Sequence, residues 1–291
     1  MSELKSPDPR PHQAALHWQS QAVLLVLVPA TAVWVTLEAG QLWYTHDARL
    51  WIGGGLCLLL AALVFSTRAA TPAAALTGAV IAGALWLQTP GLHTALWPLL
   101  ALLVLTFAAT RFGRRRKEAL GIAEGRRGRT ASQVAANLGV AAVAGIPLSA
   151  AHVFTPVAFG GRAAMAAMVA AMAEATADTV SSELGQVLGG TPRMITTLRR
   201  APAGTDGAIS PAGTLAGMVA AVVLVGVAWM ALPQLSRVDA GVALAAGLAG
   251  TVVDSLLGAG PERRGWLNND AVNALSTMAA AVMAAWGVRW V

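Results

Sequence analysis

The chain has 291 residues, 56% of them hydrophobic and only 12% charged, with a mean hydropathy of +0.62. A soluble domain of this size carries about 25% charged residues, so the class of water-soluble globular enzymes is excluded. The net charge of +6 would suit a nucleic-acid ligand in a soluble protein. In a chain built of apolar runs it reads as loop charge that sets membrane topology, and no nucleic-acid partner is expected.

The first residues, MSELKSPDPRPHQAALHWQS, are polar and contain no apolar h-region. A cleaved signal peptide is therefore not expected, and the first hydrophobic segment should remain as an anchor. Apolar runs then predict an all-α, polytopic membrane protein of about nine spans, near 22–37, 50–65, 73–88, 94–110, 131–151, 163–184, 212–232, 240–257 and 271–288. The chain divides into a tail (1–21), four peripheral helices (22–110) and a motif-bearing core with its loops (111–291), all in one membrane domain. The first four spans are rich in Leu and Trp, as lipid-facing helices are. The later ones are rich in Ala and Gly, which lets helix backbones approach closely. Cys57, the only cysteine, lies mid-span and reads as a core thiol.

With the N-terminus in the cytosol and the C-terminus outside, sixteen Lys and Arg fall in inner segments and four (Arg49, Arg162, Arg237, Arg289) outside. That bias obeys the positive-inside rule. Trp43, Trp51, Trp86, Trp97, Trp229, Trp286 and Trp290 then fall near the outer interface as an aromatic belt. A multi-pass integral membrane location follows, the plasma membrane if the source is prokaryotic.

The same topology gathers polar residues on the cytosolic side. AEATADTVSSELG, at the inner end of the sixth span, carries Glu174, Asp178 and Glu183, and the eighth span delivers Asp254 in DSLLGAG. Glu174, Asp178 and Ser182 repeat every four residues and share a helical face. An acid at mid-helix costs roughly 2.5 kcal/mol or more unless it is paired or faces a polar cavity. Three readings stand: juxtamembrane acids bonded to neighbours, a Mg²⁺ site of hard oxygen ligands, or proton or sodium coupling.

The inner loops are the complement. RFGRRRKEALGIAEGRRGRTASQVAANLGV holds eight basic residues. Arg111 to Lys117 suit a topology signal or anionic lipid. Arg126, Arg127 and Arg129 stand just before the fifth span, where free helix N–H groups and guanidinium groups suit phosphate. Gln133 and Asn137 extend that face, as ligands or as interhelical hydrogen bonders. GQVLGGTPRMITTLRRAPAGTDGAISPAGTLAG is too rich in Gly and Pro for a continuous helix, yet interleaves Thr196, Thr197, Thr205 and Asp206 with its glycines. It contains no P-loop pattern. GPERRGWLNNDAVNALS opens the ninth span with Asn269, Asp270 and Asn273. Asn269 or Asp270 also suits a plain helix N-cap.

GRRGRTASQVAANLGV, EATADTVSSELG, PRMITTLRRAPAGTDGAISPAGTLAG, DSLLGAG and NNDAVNALS, in that order, resemble a widespread membrane family of unassigned domain function that includes the plant phytyl-phosphate kinase and human transmembrane protein 19. The pairing of A-D-T-x-S-S-E-x-G with P-x-G-T-x-G is the specific part of the resemblance. It covers residues 111–291 by motif and the first four spans in character alone. One departure is the direct run into Gly260-Pro261, where family members carry a longer insertion.

The resemblance implies a kinase that transfers a phosphoryl group from a nucleoside triphosphate, CTP favoured, to an isoprenoid monophosphate such as phytyl or geranylgeranyl phosphate. It implies Asp178, Glu183 and Asp254 as Mg²⁺ ligands with Glu174 behind or beside them, and Asp178, Asp254 and Arg127 as the catalytic set. Arg126 and Arg129 would hold phosphates. Ser182, Thr196, Thr197, Gly204, Thr205, Asp206 and Gly207 would close over them, and Asn137, Asn269 and Asn273 would orient the site. The Ala/Gly-lined fifth to ninth spans would form a lipid-open groove for the isoprenoid tail. The alternatives are a cation-coupled transporter or channel using Asp178 and Asp254, and a CTP-dependent isoprenoid alcohol kinase. Neither donor, chain length nor oligomeric state is set by the sequence.

Overall fold

The structure is a computed structural model that describes residues 16–89, 91–119, 128–153, 161–188 and 190–291. It is a helical bundle. Four helices form the first half: α1 (His17–Tyr44), α2 (Arg49–Ser66), α3 (Pro72–Leu87) and α4 (Leu96–Arg111), followed by the short α5 (Arg114–Ala119). The second half opens with α6 (Ala131–Val134), which runs through a π-helical stretch (Ala135–Gly139) into α7 (Val140–Ala144) and, past Gly145, α8 (Ile146–Val153). Then come α9 (Gly161–Leu188), α10 (Pro211–Ala231), α11 (Arg237–Leu257) with a π-helical continuation (Gly258–Glu262), and α12 (Asn269–Gly287). Two short antiparallel strands, β1 (Arg193–Met194) and β2 (Ala208–Ile209), close the α9–α10 connection into a hairpin.

Each expected span is helical in its described part. Six stretches are long and apolar enough to cross a bilayer: His17–Tyr44, Arg49–Ser66, Ala131–Ala150, Gly161–Leu188, Pro211–Ala231 and Arg237–Glu262. The apolar helices α3 and α4 have 16 residues each, roughly 24 Å against a hydrocarbon core of about 30 Å. Local chemistry sets the helix starts. Thr71 caps α3 with Pro72 in its first turn, Ser210 caps α10 with Pro211, and Ser236 caps α11 through the Asp239 amide.

Helix α9 is the axis of the bundle. Every residue from Ala164 to Ala177 is buried, and α9 packs against α4, α7, α10, α11 and α12. Its Ala and Met side chains keep it thin, and glycines on its neighbours bring backbones close. A Cβ at Gly217 would sit 2.7 Å from the Ala177 carbonyl oxygen, and one at Gly213 would sit 2.5 Å from that of Ser181. Gly213 and Gly217, four apart, thus form a small-residue seam between α10 and α9. The first four helices carry much of the exposed apolar surface, with Leu25, Val26, Trp51, Leu58 and Leu59 all exposed.

Cys57 is a buried free thiol, as expected. Of the seven belt tryptophans, six are exposed and Trp86 is buried. Its indole N–H donates to the Arg49 carbonyl at 2.9 Å, over Gly53, where a Cβ would meet the ring at 2.2 Å. Gly217→Leu should overpack the α9–α10 seam and lower stability by about 1–3 kcal/mol. A lower melting temperature in detergent, with Gly226→Leu unaffected because nothing lies within 4 Å of that glycine, is the expected result.

Candidate functional site

At one end of α9 the acidic residues converge. Glu174 is 1% exposed, and the charged groups facing it are Asp178 and Asp254, with Ser276 of α12 as a hydrogen-bond partner. The carboxyl groups of Asp178 and Asp254 lie within hydrogen-bonding reach of each other. Ser276 Oγ donates to Asp254 Oδ2 at 3.3 Å. Glu262, in the π-helical end of α11, faces Asp178 and Asp206, and Arg129 is the cation facing Asp178. Helices α9, α11 and α12, the hairpin and the segment before α6 therefore meet at one point.

Small residues make this meeting possible. A Cβ at Gly250 would fall 2.6 Å from Glu174 Cγ, so the glycine leaves the space that Glu174 occupies. Gly207 has φ +72 and lies against Ala259, whose N would be 2.2 Å from an added Cβ. The hairpin thereby docks on the π-helical turn and brings Asp206 over Glu262. Gly128, with φ +73, packs on the backbone of Ala69 at 2.6 Å from its would-be Cβ. Arg129 N donates to Ala69 O at 2.9 Å, and Thr71 N donates to Arg129 O at 3.0 Å. Arg129 is thus stapled to the α2–α3 connection.

Several expected site residues are elsewhere. Glu183 is ion-paired with Lys117, whose Nζ also donates to the carbonyls of Ala109 (2.9 Å) and Thr110 (3.2 Å). Lys117 is buried, and this pair joins α5 to α9. Ser182 is exposed and donates to the Thr179 carbonyl at 3.1 Å. Thr196 and Thr197 are exposed in the hairpin turn, and Thr205 Oγ1 donates to Pro202 O at 2.8 Å. Gly204 adopts φ +79 as a turn residue. Asn137 donates to the Gln133 carbonyl within its own helix at 2.8 Å and, unlike these, lines the cavity beside Arg129. Gln133 forms a capping box with Thr130.

The N-cap of α12 is Asn268 and neither Asn269 nor Asp270. Its Oδ1 accepts from Ala271 N at 2.9 Å, and its Nδ2 donates to Leu16 O and Ser20 Oγ. Asn269 is exposed, and the Asn273 carbonyl accepts from Ser276 and Thr277. Arg126 and Arg127 lie outside the described residues.

Glu262, Ser276 and both π-helical stretches were not anticipated. Glu262 sits in GPERRG, where the adjacent arginines are the conspicuous residues. π-Bulges are frequent at functional sites, but Gly, Ala and Pro in GAGPE carry no distinctive signal of one.

The donor set suits a hard divalent cation. Glu174 Oε1 is buried with no hydrogen-bond partner, and two carboxylates as close as Asp178 and Asp254 need a cation or a proton between them. Among the described residues no group of three or more Asp, Glu, His or Cys stands ready to enclose a metal. Mg²⁺ is commonly held by one or two carboxylates, with waters and substrate phosphates completing its shell, so a two-carboxylate site fits.

A cavity of about 700 Å³ opens beside Arg129, lined by α2, α3, α4, the start of α5, Arg129 and, from the fifth span, Val134, Asn137 and Leu138. It thus lies between the helices expected to be peripheral and the fifth span. A second cavity, about 770 Å³ and lined by Glu38, Gln88, Ser149 and Arg162 among others, lies at the other end of the bundle. Arg162 and Asp178 are roughly 24 Å apart along α9, and the buried midsection of that helix stands between them.

This fold and site define a polytopic helical membrane protein with a carboxylate cluster at one end of its bundle. The chain belongs to the integral membrane protein DUF92 family, whose profile matches residues 55–281. It is 40% identical over 125 residues to an uncharacterised membrane protein of Methanocaldococcus jannaschii, covering 43% of this chain and 52% of that one. It is 33% identical over 192 residues to the chloroplastic protein VTE6 of Arabidopsis thaliana (63% and 55%) and 34% identical over 182 residues to a membrane protein of a Synechocystis species (61% and 67%). The chain therefore spans little more than half the length of the first two relatives. No solved structure matches it.

Lys117→Met would strand Glu183, which is only 15% exposed, without its counter-ion. Breaking a buried pair on one side costs about 3–5 kcal/mol, so a large drop in melting temperature is expected, with partial recovery in the Lys117→Met/Glu183→Gln double variant.

Proposed function

We propose that this protein is a membrane-embedded phosphotransferase. It moves a phosphoryl group from a nucleoside triphosphate, with CTP favoured, to an isoprenoid monophosphate such as phytyl or geranylgeranyl phosphate, and forms the diphosphate. The observation that carries this reading is the convergence of Asp178 and Asp254, from two helices, beside Arg129. The motif resemblance to the family that includes the plant phytyl-phosphate kinase supports it, as does the 33% identity to the chloroplastic protein VTE6. In the same reading the site faces the cytosol, with the N-terminus on that side.

Asp178 and Asp254 would hold Mg²⁺, with Glu174 as a further oxygen donor, and the ion supplies charge neutralisation for the phosphates. A phosphate monoester has a second pKa of about 6, so the acceptor arrives ionised near neutral pH and requires no general base. One of its oxygens attacks the terminal phosphorus of the nucleotide. The bond from that phosphorus to the bridging oxygen breaks, and the nucleoside diphosphate leaves with the electron pair. The chain's own task is alignment and electrostatics. Arg129 binds phosphate oxygens, Ser276 orients the Asp254 carboxylate, and the hairpin anchored by Gly207 brings Asp206 close to Glu262.

The reading of a transporter using Asp178 and Asp254 calls for access from both sides. The packed midsection of α9 favours one-sided chemistry instead.

Purified protein given labelled CTP or ATP, Mg²⁺ and prenyl phosphates of several lengths should form prenyl diphosphate, and EDTA should abolish this. Absence of product with every donor and chain length sinks the reading. Asp178→Asn and Asp254→Asn should each lower kcat at least about a hundredfold, in the range seen when one transition-state charge partner is removed. Full activity in either variant would remove that residue from the metal site.

A further inference from the structure

The cavity among the first four helices has a definite chemical polarity. Its walls are apolar: Leu60 and Val64 from α2, Ala75 and Gly78 from α3, Leu99 and Leu103 from α4. Its rim is basic and contains Arg68, Arg111, Arg114, Lys117 and Arg129, with no carboxylate in the lining among the described residues. Along α4 the lining runs from Leu99 to Arg111, roughly 18 Å at 1.5 Å per residue. At about 700 Å³ the volume falls within the roughly 300–1,000 Å³ of small-ligand sites.

The cleft opens sideways. α2 packs on α3, whereas α4 packs mainly on α9 and α10, and Leu63, Leu100, Val104 and Phe107 are exposed along the gap.

Two features mark the rim as a ligand site. Lys117 is neutralised by Glu183 and Arg114 bonds Glu118 at 3.0 Å, but Arg68 and Arg111 have no carboxylate partner among the described residues. Arg111 instead lies over the Phe107 ring at 4.3 Å and donates to the Thr67 carbonyl. Arg68 occupies the position just past the C-cap of α2 with φ +56. Its N–H bonds Phe65 O and that of Ala69 bonds Val64 O, the Schellman arrangement that glycine normally completes. An arginine there accepts backbone strain and sets its guanidinium at the mouth of the cleft. Arg129, in turn, lines the cavity and faces Asp178.

We infer that this cavity is the acceptor site, which holds a single-chain prenyl monophosphate. The tail lies between α2 and α4, entering from the lipid. The phosphate rests on Arg68, Arg111 and Arg129, where Arg129 hands it to the Asp178–Asp254 pair. The assignment rests on the phosphotransferase reading for the word acceptor. The prenyl class rests on that reading too, whereas the cavity itself selects an anionic head by its basic rim and an apolar chain by its walls.

Gly78 supplies a clean test. It lines the cavity, and a Cβ there meets nothing within 4 Å, so Gly78→Phe fills the space without disturbing the fold. Binding of geranylgeranyl monophosphate to the full-length protein in nanodiscs is measured by calorimetry, with geranylgeraniol and phosphatidic acid as comparison ligands. Gly78→Phe should weaken binding of the monophosphate at least about tenfold, some 1.4 kcal/mol, and raise its KM without changing that of the nucleotide. Arg68→Ala/Arg111→Ala should erode the preference for the phosphate over the alcohol. Wild-type affinity in Gly78→Phe overturns the site. Equal binding of phosphatidic acid, lost in the same variant, overturns it in favour of a structural phospholipid. Monophosphate binding that Gly78→Phe removes, with no diphosphate formed by the wild type, overturns the phosphotransferase reading and keeps the prenyl-phosphate site.

Discussion

Burial of carboxylates within an apolar bundle is the constraint on which the rest of this molecule depends. Glu174 and Asp178 sit on the most enclosed helix of the protein, with Asp254 opposite them. Anions placed there are unfavourable unless charge, hydrogen-bond donors or a polar cavity compensate. The surroundings supply each in part: the Ser276 hydroxyl, the facing Arg129 guanidinium and an open cleft alongside. Among the described residues the acids outnumber the cations at this point, which suits the divalent cation of the proposed reading.

The geometry follows from that constraint. Helices can only bring carboxylates together at this spacing if their backbones approach closely, which is why Gly250 lies over Glu174 and Gly213 and Gly217 lie over α9. The two π-helical stretches, Ala135–Gly139 and Gly258–Glu262, both flank the site. Asn137 lies in the first and Glu262 in the second, and π-helical turns are frequent at functional sites. The carbonyl of Ala136 in the first stretch accepts from Thr277 of α12 at 3.3 Å, so this irregularity is tied to the site's own wall.

The bundle also divides its labour along its length. At one end lie the acids and the cleft with the basic rim. At the other, the Arg162–Asp239 pair (2.7 and 3.1 Å) joins α9 to α11. Between them α9 is a column of Ala and Met in full contact with its neighbours. An amphiphile that meets its phosphate donor at one membrane face needs no passage to the other, and lateral entry between α2 and α4 avoids dragging its tail through water.

Much of the fold was legible in the chain: hydropathy marked the helices, because backbone groups in hydrocarbon leave few options beyond helix. The caps Thr71-Pro72 and Ser210-Pro211 are local signals, since capping and proline preferences act within one turn. The pairing of Asp178 with Asp254 was also legible, since two helices entering from the same side bring acids at similar depth to one level. What the sequence could not reveal depended on contacts between distant segments. Glu183 looked equivalent to Asp178 until Lys117 of α5 was found against it. Glu262 carries no signal in the sequence, and only the π-helical end of α11 places it facing Asp178. The cavity beside Arg129 lies between the fifth span and helices whose composition suggested only a peripheral role, because a cavity is a property of how helices diverge and not of any one of them. By itself, then, the sequence determined an all-helical membrane protein with buried acids near basic loops, through propensity and hydrophobicity that act residue by residue. Tertiary structure alone decided which acids meet, which are neutralised and where a cavity opens, because distances between segments far apart in the chain are set by packing.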